Sequence, residues 1–177
     1  MKITADARVD YPLDLVFHTY RDELERLVPW LPNVESIVVK EREDDVDGAG
    51  HLTRLWNVWR GKASIPSIAR GFLKPEMLAW DDHAEWDERT RVCSWRSEPH
   101  FFRERTRCAG TTTLLPDGAG TRLQIRGEFS LDLKGMRGVP RLVTGAAQKA
   151  AETFIVALLS PNLASISQGL DGYLKQR

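Results

Sequence analysis

The sequence predicts an α+β fold in which a strongly curved antiparallel sheet of about seven strands wraps around a long C-terminal helix. Two short helices are expected after the first strand. Strand-like segments follow one another without helices between them, the last one alternates apolar and polar side chains, and a broad apolar helical stripe comes after it. A parallel sheet would instead require helices between successive strands. The length of 177 residues predicts a single domain covering residues 1–177.

The first elements are a strand and two short helices. Apolar side chains alternate over residues 3–9, which is typical of a strand, and Tyr11-Pro12 ends that pattern. Pro12 suits the first position of a helix because its missing N–H has no partner there. Apolar residues then recur at helical spacing over 13–20. A second helix is expected over 22–28, ended by the prolines that follow it.

Six further strands are expected after residue 33, where β-branched residues become frequent and turn-forming clusters separate the segments. The predicted ranges are 34–43, 51–59, 77–87, 91–98, 103–115 and 121–133. The last strand alternates most regularly, and its apolar face carries Leu123, Ile125, Gly127, Phe129, Leu131 and Leu133. Such alternation predicts a sheet with one buried face and one face in water.

The C-terminal segment predicts the helix that the sheet grips. Leu142, Phe154 and Leu158 belong to an apolar stripe at steps of four residues, about 100° wide, which is enough to cover a sheet. Pro161 is expected to kink or break this helix, and helical spacing resumes over residues 162–173. A curved sheet around one helix leaves a hollow unless large side chains fill it.

Charge, apolar runs and motifs indicate which classes of protein this sequence does not fit. Basic and acidic side chains number 25 each, so the formal net charge is zero, which disfavours a nucleic-acid binder. The N-terminus lacks the apolar core of a signal peptide, and the longest apolar run, Phe154–Leu159, is far shorter than the ~20 residues of a membrane helix. A cytoplasmic protein is therefore expected. No phosphate loop, dinucleotide fingerprint or metal-spaced histidine pair occurs, so neither a cofactor nor a metal is predicted.

The two cysteines are too few for a disulfide-framed secreted module. If residues 91–98 and 103–110 form a hairpin centred near residues 100 and 101, Cys93 lies nearly opposite Cys108. A cross-strand disulfide is then one alternative, and reduced thiols, as expected in the cytoplasm, are the other.

Three segments of the chain resemble the START-like (SRPBCC) superfamily, whose members have a helix-grip fold. They are the opening "DARVDYPLDLVFHTYRD", the hairpin "PDGAGTRLQIRGEF" and the long terminal helix. The segments "VPWLPNVESIVVKERE", "HLTRLWNV" and "SIPSIARGFLKPEMLAWDDHAEWDERTR" also look like PRELI-type lipid carriers and related bacterial polyketide cyclase-like proteins. The resemblance implies one cavity for a hydrophobic or amphipathic, lipid-like molecule. It fixes no activity, because the superfamily includes carriers, sensors and cyclases.

Aromatic and apolar side chains are the candidate ligand contacts. All six tryptophans lie between Trp30 and Trp95, and Trp80 and Trp86, six residues apart on one strand, share a face. The expected contacts with the ligand are Trp56, Trp80, Trp86, Leu78, Leu123, Ile125, Phe129, Phe154 and Leu158. The alternative is ordinary core packing, since tryptophan is highly buried on average.

Two basic segments without acidic neighbours are predicted to form a rim at the cavity mouth, where the resemblance places them. The rim residues are Arg60, Lys62, Arg70, Lys74, Arg137 and Arg141. Such a rim suits an anionic amphiphile and allows transient contact with an anionic membrane surface. The alternative is a solvated connector with a short amphipathic helix.

An enzyme of the polyketide cyclase type is the second functional hypothesis, and it needs polar groups inside the cavity. Asp82, His51 and Arg107 are its candidate residues, and Asp82 shares the face of Trp80 and Trp86. Burial would raise the pKa of Asp82, although a bulge or the open end of the strand is an alternative position for it. The third hypothesis is an interaction domain with a filled core.

Overall fold

A computed structural model describes residues 1–62, 78–100, 103–132, 149, 153 and 165–177. It contains one antiparallel sheet of seven strands in the spatial order β1-β7-β6-β5-β4-β3-β2. The strands are β1 Lys2–Val9, β2 Val34–Glu43, β3 Leu52–Gly61, β4 Ala79–Asp87, β5 Val92–Pro99, β6 Thr106–Asp117 and β7 Gly120–Leu131. The predicted α+β helix-grip architecture is confirmed. Each predicted strand is present, with ends displaced by no more than three residues.

The helices begin and end near the predicted prolines. Helix α1, Leu13–Asp22, follows Pro12, whose carbonyl accepts the N–H of Val16 at 3.0 Å. The second helix is a 3₁₀ helix, Leu24–Trp30, and Pro29 lies inside it instead of following its end. At the C-terminus, residues 165–176 are helical, as are residues 149 and 153. The predicted stripe residues Leu142, Phe154 and Leu158, together with Pro161, lie outside the described residues.

The connection between β5 and β6 differs from the prediction and changes which residues face each other. A 3₁₀ turn at Arg103–Arg105 delays the start of β6 to Thr106. Cys93 therefore pairs with Thr112, and Cys108 pairs with Phe129 on β7. The predicted opposition of the two cysteines is wrong, and both thiols are free and buried.

The inner face of the sheet packs against the helices to form the core. Along β7 the buried residues are the alternate ones that the pattern predicted, including Leu123, Ile125 and Phe129. The core side chains that are less than 2% exposed are Phe17, Phe129, Leu27, Leu31, Leu114, Leu123, Ile125, Ile166, Leu170, Val9, Val16 and Val34. Residues 165–176 and the two N-terminal helices therefore cover the same face of the sheet.

An ion-pair network ties the end of α1 to the end of β2. The Asp22 carboxylate accepts hydrogen bonds from Arg21 Nε at 2.8 Å and from Arg42 Nη1 at 2.9 Å. Arg42 Nε also donates to both oxygens of Asp44, at 3.0 and 2.9 Å. Burial opposes ionisation of Asp22, but the two arginines outweigh burial and hold its pKa below the usual range.

The acidic segment at residues 41–47 belongs to the β2–β3 hairpin. One Asp47 oxygen accepts the backbone N–H groups of Ala49, His51 and Leu52, at 3.2–3.3 Å. Asp47 thus closes the turn, as side chains of this type commonly do. Among the described residues, no group of three or more His, Cys, Asp or Glu side chains is arranged to hold a metal ion.

Replacing Asp22 by Asn should destabilise the protein in a pH-dependent way. A carboxylate with a lowered pKa stabilises the fold above its ordinary pKa, and this contribution is lost as the pH falls through the folded value. With solvent screening, Asp22→Asn should cost up to about 1 kcal/mol at pH 7. Urea unfolding from pH 3 to 7 should show the difference shrinking as the pH falls below about 4. The exposed Glu35→Gln is the control, and a pH-independent loss would contradict the assignment.

Candidate functional site

A cavity of about 70 Å³ lies between the inner face of the sheet and the helices. One water molecule needs about 10–15 Å³ measured this way, so the space exceeds a single water site. The predicted alternative of a completely filled core is therefore wrong for this part of the fold. Its described wall consists of Ile3, Tyr20, Leu24, Asn57, Trp59, Trp80, Asp82, Ala84, Trp86, Cys93, Trp95, Ser97, Cys108, Thr112 and Ile166.

Aromatic rings form much of the cavity wall. The register pairs Trp59 on β3 with Trp80 on β4, and their rings stack with centroids 5.7 Å apart and planes 17° apart. Trp86 is held by edge-on contacts with Phe17 at 5.3 Å and Tyr20 at 5.0 Å. Parallel and edge-on ring pairs at these separations are favourable. The aromatic wall is thus supported by α1 as well as by the sheet.

A polar row crosses this apolar surface. Asn57 on β3 lies opposite Asp82 on β4, which lies opposite Ser97 on β5. Asn57 Nδ2 donates to one Asp82 oxygen at 3.2 Å, and the Ser97 hydroxyl donates to the other at 3.5 Å. The pairing is continuous there, so the alternative position of Asp82 at a bulge or open strand end is wrong.

Burial raises the pKa of the Asp82 carboxyl, and Asn57, the nearby Trp59 indole, His83 and Ser97 offset this only in part. Removing a carboxylate from water disfavours its charged form. Asp82 is therefore a carboxyl group that exchanges its proton closer to neutral pH than an ordinary aspartic acid.

Three further polar atoms at the cavity have no hydrogen-bond partner within the part of the chain that the structure describes. They are Asn57 Oδ1, Trp59 Nε1 and Trp86 Nε1. Asn57 is only 1% exposed. An unsatisfied buried polar atom costs about 1–3 kcal/mol, so a molecule that supplies partners gains that amount on binding. The wall offers one acceptor and two donors besides the Asp82 carboxyl.

Both cysteines face the cavity as neutral thiols. Burial raises the pKa of Cys108 to about 12 and raises that of Cys93 well above its usual value. The thiolate is the reactive form of cysteine, so these thiols are poor nucleophiles. They serve as small, polarisable parts of the wall.

Some of the predicted ligand contacts lie in the cavity wall and others do not. Trp80 and Trp86 lie in the cavity wall. Trp56 lies on the outer face, 37% exposed, stacked on His83 with ring centroids 5.8 Å apart. Its prediction as a cavity residue is wrong, because Trp59, three positions later and of opposite parity, is the one that points inward. The strand alternation showed that the two differ in face, but only the register shows which face is covered.

The remaining predicted contacts do not belong to the described cavity wall. Leu78, Leu123, Ile125 and Phe129 are all 1–2% exposed and act as core side chains. Phe154 and Leu158 lie outside the described residues. Alternation alone missed Asn57, Trp95 and Ser97, which reach the cavity through the pairing of β3, β4 and β5.

Neither Arg60 nor Lys62, the two described residues of the predicted basic rim, belongs to the described cavity wall. Arg60 is exposed and lies between the buried residues Trp59 and Gly61, so its side chain points to the outer face. Lys62 is also exposed. The other four rim residues, Arg70, Lys74, Arg137 and Arg141, lie outside the described residues.

The structure separates the three candidate catalytic residues. Asp82 is in the cavity. Arg107 is exposed on the outer face of β6, between the buried Thr106 and Cys108, so its prediction as a cavity residue is wrong. His51 precedes β3, where its carbonyl accepts the N–H of Glu88, and it is not in the cavity wall either.

Asp81, the residue before Asp82, lies in an environment of the opposite kind to that of Asp82. It faces outward, yet is only 4% exposed because it accepts Trp56 Nε1–H at 3.0 Å and contacts His100 at 3.3 Å and Arg103 at 3.4 Å. Burial opposes its ionisation, but these partners outweigh burial and lower the pKa of Asp81. The strand thus carries an ionised outward carboxylate beside an inward carboxyl that resists ionisation.

Comparison with solved structures identifies the fold. TTHA0849 from Thermus thermophilus is 25% identical and superposes with a TM-score of 0.66, over 99% of this chain and 98% of that chain. The Zhui aromatase/cyclase from Streptomyces sp. R1128 is 16% identical, with a TM-score of 0.67 over 100% and 94%. A START superfamily protein from Mycobacterium smegmatis is 14% identical, with a TM-score of 0.52 over 99% and 97%.

A scan against protein-family models found no match, and a search of curated proteins found none either. The structural likeness shows that the chain has the helix-grip fold of START-like proteins. Within the described residues, no helix combines the length and apolar character needed to cross a bilayer.

Replacing Asp82 by Asn should stabilise the protein at neutral pH, in contrast to Asp22→Asn. A carboxyl whose pKa is raised on folding loses stability as the pH rises from its ordinary pKa to its folded value. The amide avoids that penalty and can still accept from Asn57. Thermal unfolding from pH 4 to 8 should show a higher melting temperature for Asp82→Asn at pH 7 and a smaller difference at pH 4. A destabilised variant at pH 7 would contradict the raised pKa.

Proposed function

We propose that this protein binds one hydrophobic or amphipathic, lipid-like small molecule in the tryptophan-lined cavity. The carrying observation is a largely apolar cavity wall crossed by the hydrogen-bonded row Asn57, Asp82 and Ser97. An apolar lining with a few convergent polar groups is typical of small-molecule sites, whose volumes are usually about 300–1,000 Å³. The described space is about 70 Å³, so a lipid-like ligand would displace wall side chains as it binds. The helix-grip fold supports the proposal, since structures that share it include a START superfamily protein and an aromatase/cyclase.

The proposed binding energy comes mainly from the apolar wall. Burial of apolar surface contributes about 25 cal/mol per Å² before ordering costs are subtracted. The polar row fixes the ligand's orientation, because a hydroxyl placed there can donate to Asn57 Oδ1 and accept from Trp59 Nε1, two atoms otherwise unsatisfied. The ligand is therefore an apolar body with at least one hydroxyl or similar group that both donates and accepts.

The proposal extends to the chain's cellular behaviour. A single domain covering residues 1–177, acting in the cytoplasm, would carry the ligand without a cofactor. Lys62, together with Arg70, Lys74, Arg137 and Arg141, is proposed from the sequence to favour anionic headgroups and transient contact with membrane surfaces.

Native mass spectrometry after mild purification tests the proposal, combined with transfer of labelled fatty acid and phospholipid between vesicles. Binding should also quench tryptophan emission, since Trp59, Trp80, Trp86 and Trp95 all line the cavity. A co-purifying apolar molecule or micromolar binding is expected. The proposal fails if nothing co-purifies and neither lipids nor hydroxylated fused-ring compounds bind at micromolar concentration.

Replacing Trp80 by Leu should weaken binding of 2-naphthol roughly tenfold, because an aromatic contact is worth about 0.5–1.5 kcal/mol beyond its buried area. Trp56→Leu removes the same side chain from the outer face and is the matched control, with unchanged affinity expected. Fluorescence titration of both variants measures the effect. Equal losses in the two variants would show that 2-naphthol does not bind in this cavity.

Proton transfer to or from the bound ligand is a second candidate function, favoured by the raised pKa of Asp82 inside the cavity. A general base works best when its pKa lies near the operating pH. Ionised Asp82 would take a proton from the carbon beside a ligand carbonyl. The C–H electron pair would form a C=C bond, and the carbonyl π pair would move onto the oxygen to give an enolate. This is the type of step that a cyclase needs.

Exchange of the α-hydrogens of 2-tetralone in D₂O, followed by NMR, tests this second function. Asp82→Asn should lower the catalysed exchange about 100-fold, in line with a lost general base, while 2-tetralone still binds. Asp81→Asn changes the neighbouring carboxylate on the outer face and is the matched control. Exchange as fast in Asp82→Asn as in the unmodified protein would exclude Asp82 as the base, and no exchange in either leaves binding as the function.

A further inference from the structure

The indole of Trp95 lies flat across two glycines on the neighbouring strands. A Cβ atom added to Gly110 would meet Trp95 Cζ2 at 2.6 Å, and one added to Gly127 would meet Trp95 Cη2 at 2.6 Å. Ordinary carbon contacts begin at about 3.4 Å. The ring therefore occupies space that any other residue type at either position would fill. We call Gly110 and Gly127 the glycine trough.

The trough follows from the register of three strands. Trp95 on β5 pairs with Gly110 on β6, and Gly110 pairs with Gly127 on β7. Gly127 in turn pairs with Ile3 on β1, another residue of the cavity wall. The row runs from Trp95 towards the β1 edge of the sheet, so the ring and the trough underlie one end of the cavity.

A hydrogen bond holds the ring in the trough. Trp95 Nε1 donates to Thr112 Oγ1 at 3.2 Å, on the same strand as Gly110 and two residues further along. The Trp95 N–H is thus satisfied, and its ring lies low between the strands. Although tryptophan is the largest side chain type, this indole forms only a thin floor of the cavity. Side chains in strands otherwise stand roughly perpendicular to the sheet, which here would place the indole inside the cavity.

From these contacts we infer that the glycine trough, by holding Trp95 flat, sets the size of ligand that the cavity accepts. The inference rests on the proposed ligand binding and adds its selectivity determinant. A methyl group at Gly127 points to the inner face and lifts the indole into the space above it. The cavity then becomes shallower at this end, while the polar row at Asp82 is unchanged.

Gly127→Ala is the sharper substitution. A Cβ on Gly110 would also meet the Arg126 carbonyl oxygen at 2.3 Å, so Gly110→Ala forces two strands apart. At Gly127 the first contact is the Trp95 ring. The Ala109 carbonyl oxygen at 2.9 Å is also too close, so β6 must shift slightly as well, but by less than the shift that Gly110→Ala requires. Gly169→Ala is the matched control, because it adds a methyl to another buried glycine whose nearest neighbour would be Leu31 at an ordinary 3.4 Å.

The test compares binding of 2-naphthol, with two fused rings, and 1-hydroxypyrene, with four, by fluorescence titration. Gly127→Ala should weaken 1-hydroxypyrene binding roughly tenfold or more, as overpacking of a site does, and change 2-naphthol binding less than threefold. Gly169→Ala should leave both affinities unchanged. Adding Trp95→Leu to Gly127→Ala removes the clashing ring and should restore 1-hydroxypyrene binding, which separates ring displacement from poor folding.

Crystal structures of the unmodified protein and Gly127→Ala supply a readout that needs no ligand. The indole should leave the trough and the cavity should shrink. An indole that stays flat in Gly127→Ala, or a loss of affinity equal for both compounds and not rescued by Trp95→Leu, would overturn the inference while leaving ligand binding intact. Failure of the unmodified protein to bind either compound or any lipid would instead overturn the proposed function, and with it the selectivity inference.

Discussion

The cavity depends on the unbroken register that joins β3, β4 and β5. Residues directly opposite one another across antiparallel strands become neighbours on one face, so Asn57, Asp82 and Ser97 form one row. Because side chains alternate with a period of two, a slip of one residue would exchange Asp82 with Asp81 or His83. The stacked pair of Trp59 and Trp80 depends on the same register.

The same alternation gives two adjacent carboxyl groups opposite chemistry. Asp81 is surrounded by an indole N–H, a histidine and an arginine, so its pKa is lowered. Asp82 has neutral donors on Asn57 and Ser97, with the Trp59 indole and His83 nearby, and burial outweighs them all and raises its pKa. Neutral hydrogen bonds do not repay the loss of hydration as fully as opposite charges do. One strand therefore carries a structural carboxylate on its outer side and a chemically adaptable carboxyl on its inner side.

Two other features, one in the sheet and one in α1, determine the size of the cavity and support its wall. The glycine trough lowers the indole of Trp95, which leaves room above β6 and β7. On the opposite side, Tyr20 and Phe17 of α1 brace Trp86, and the network around Asp22 ties the end of α1 to β2. The open space is thus surrounded by side chains held on several sides, which keeps a partly empty core from collapsing.

Local sequence patterns alone were sufficient to predict much of the fold of this protein. The alternation over β7, the helical spacing after Pro12 and the uninterrupted succession of strands predicted the architecture and nearly all strand positions, because these signals depend on period and turn residues within a few positions. Alternation also showed that Trp80, Asp82 and Trp86 share one face.

Only the tertiary structure decided which face and which neighbours mattered. The turn at Arg103–Arg105 moved Cys93 and Cys108 apart, and pairing between distant strands placed Trp59 instead of Trp56 in the cavity. The contact of the Trp95 indole with Gly110 and Gly127 likewise depends on the register across three strands. A strand's own sequence specifies its two faces, whereas the covered face and the opposing residues depend on packing between segments far apart in the chain.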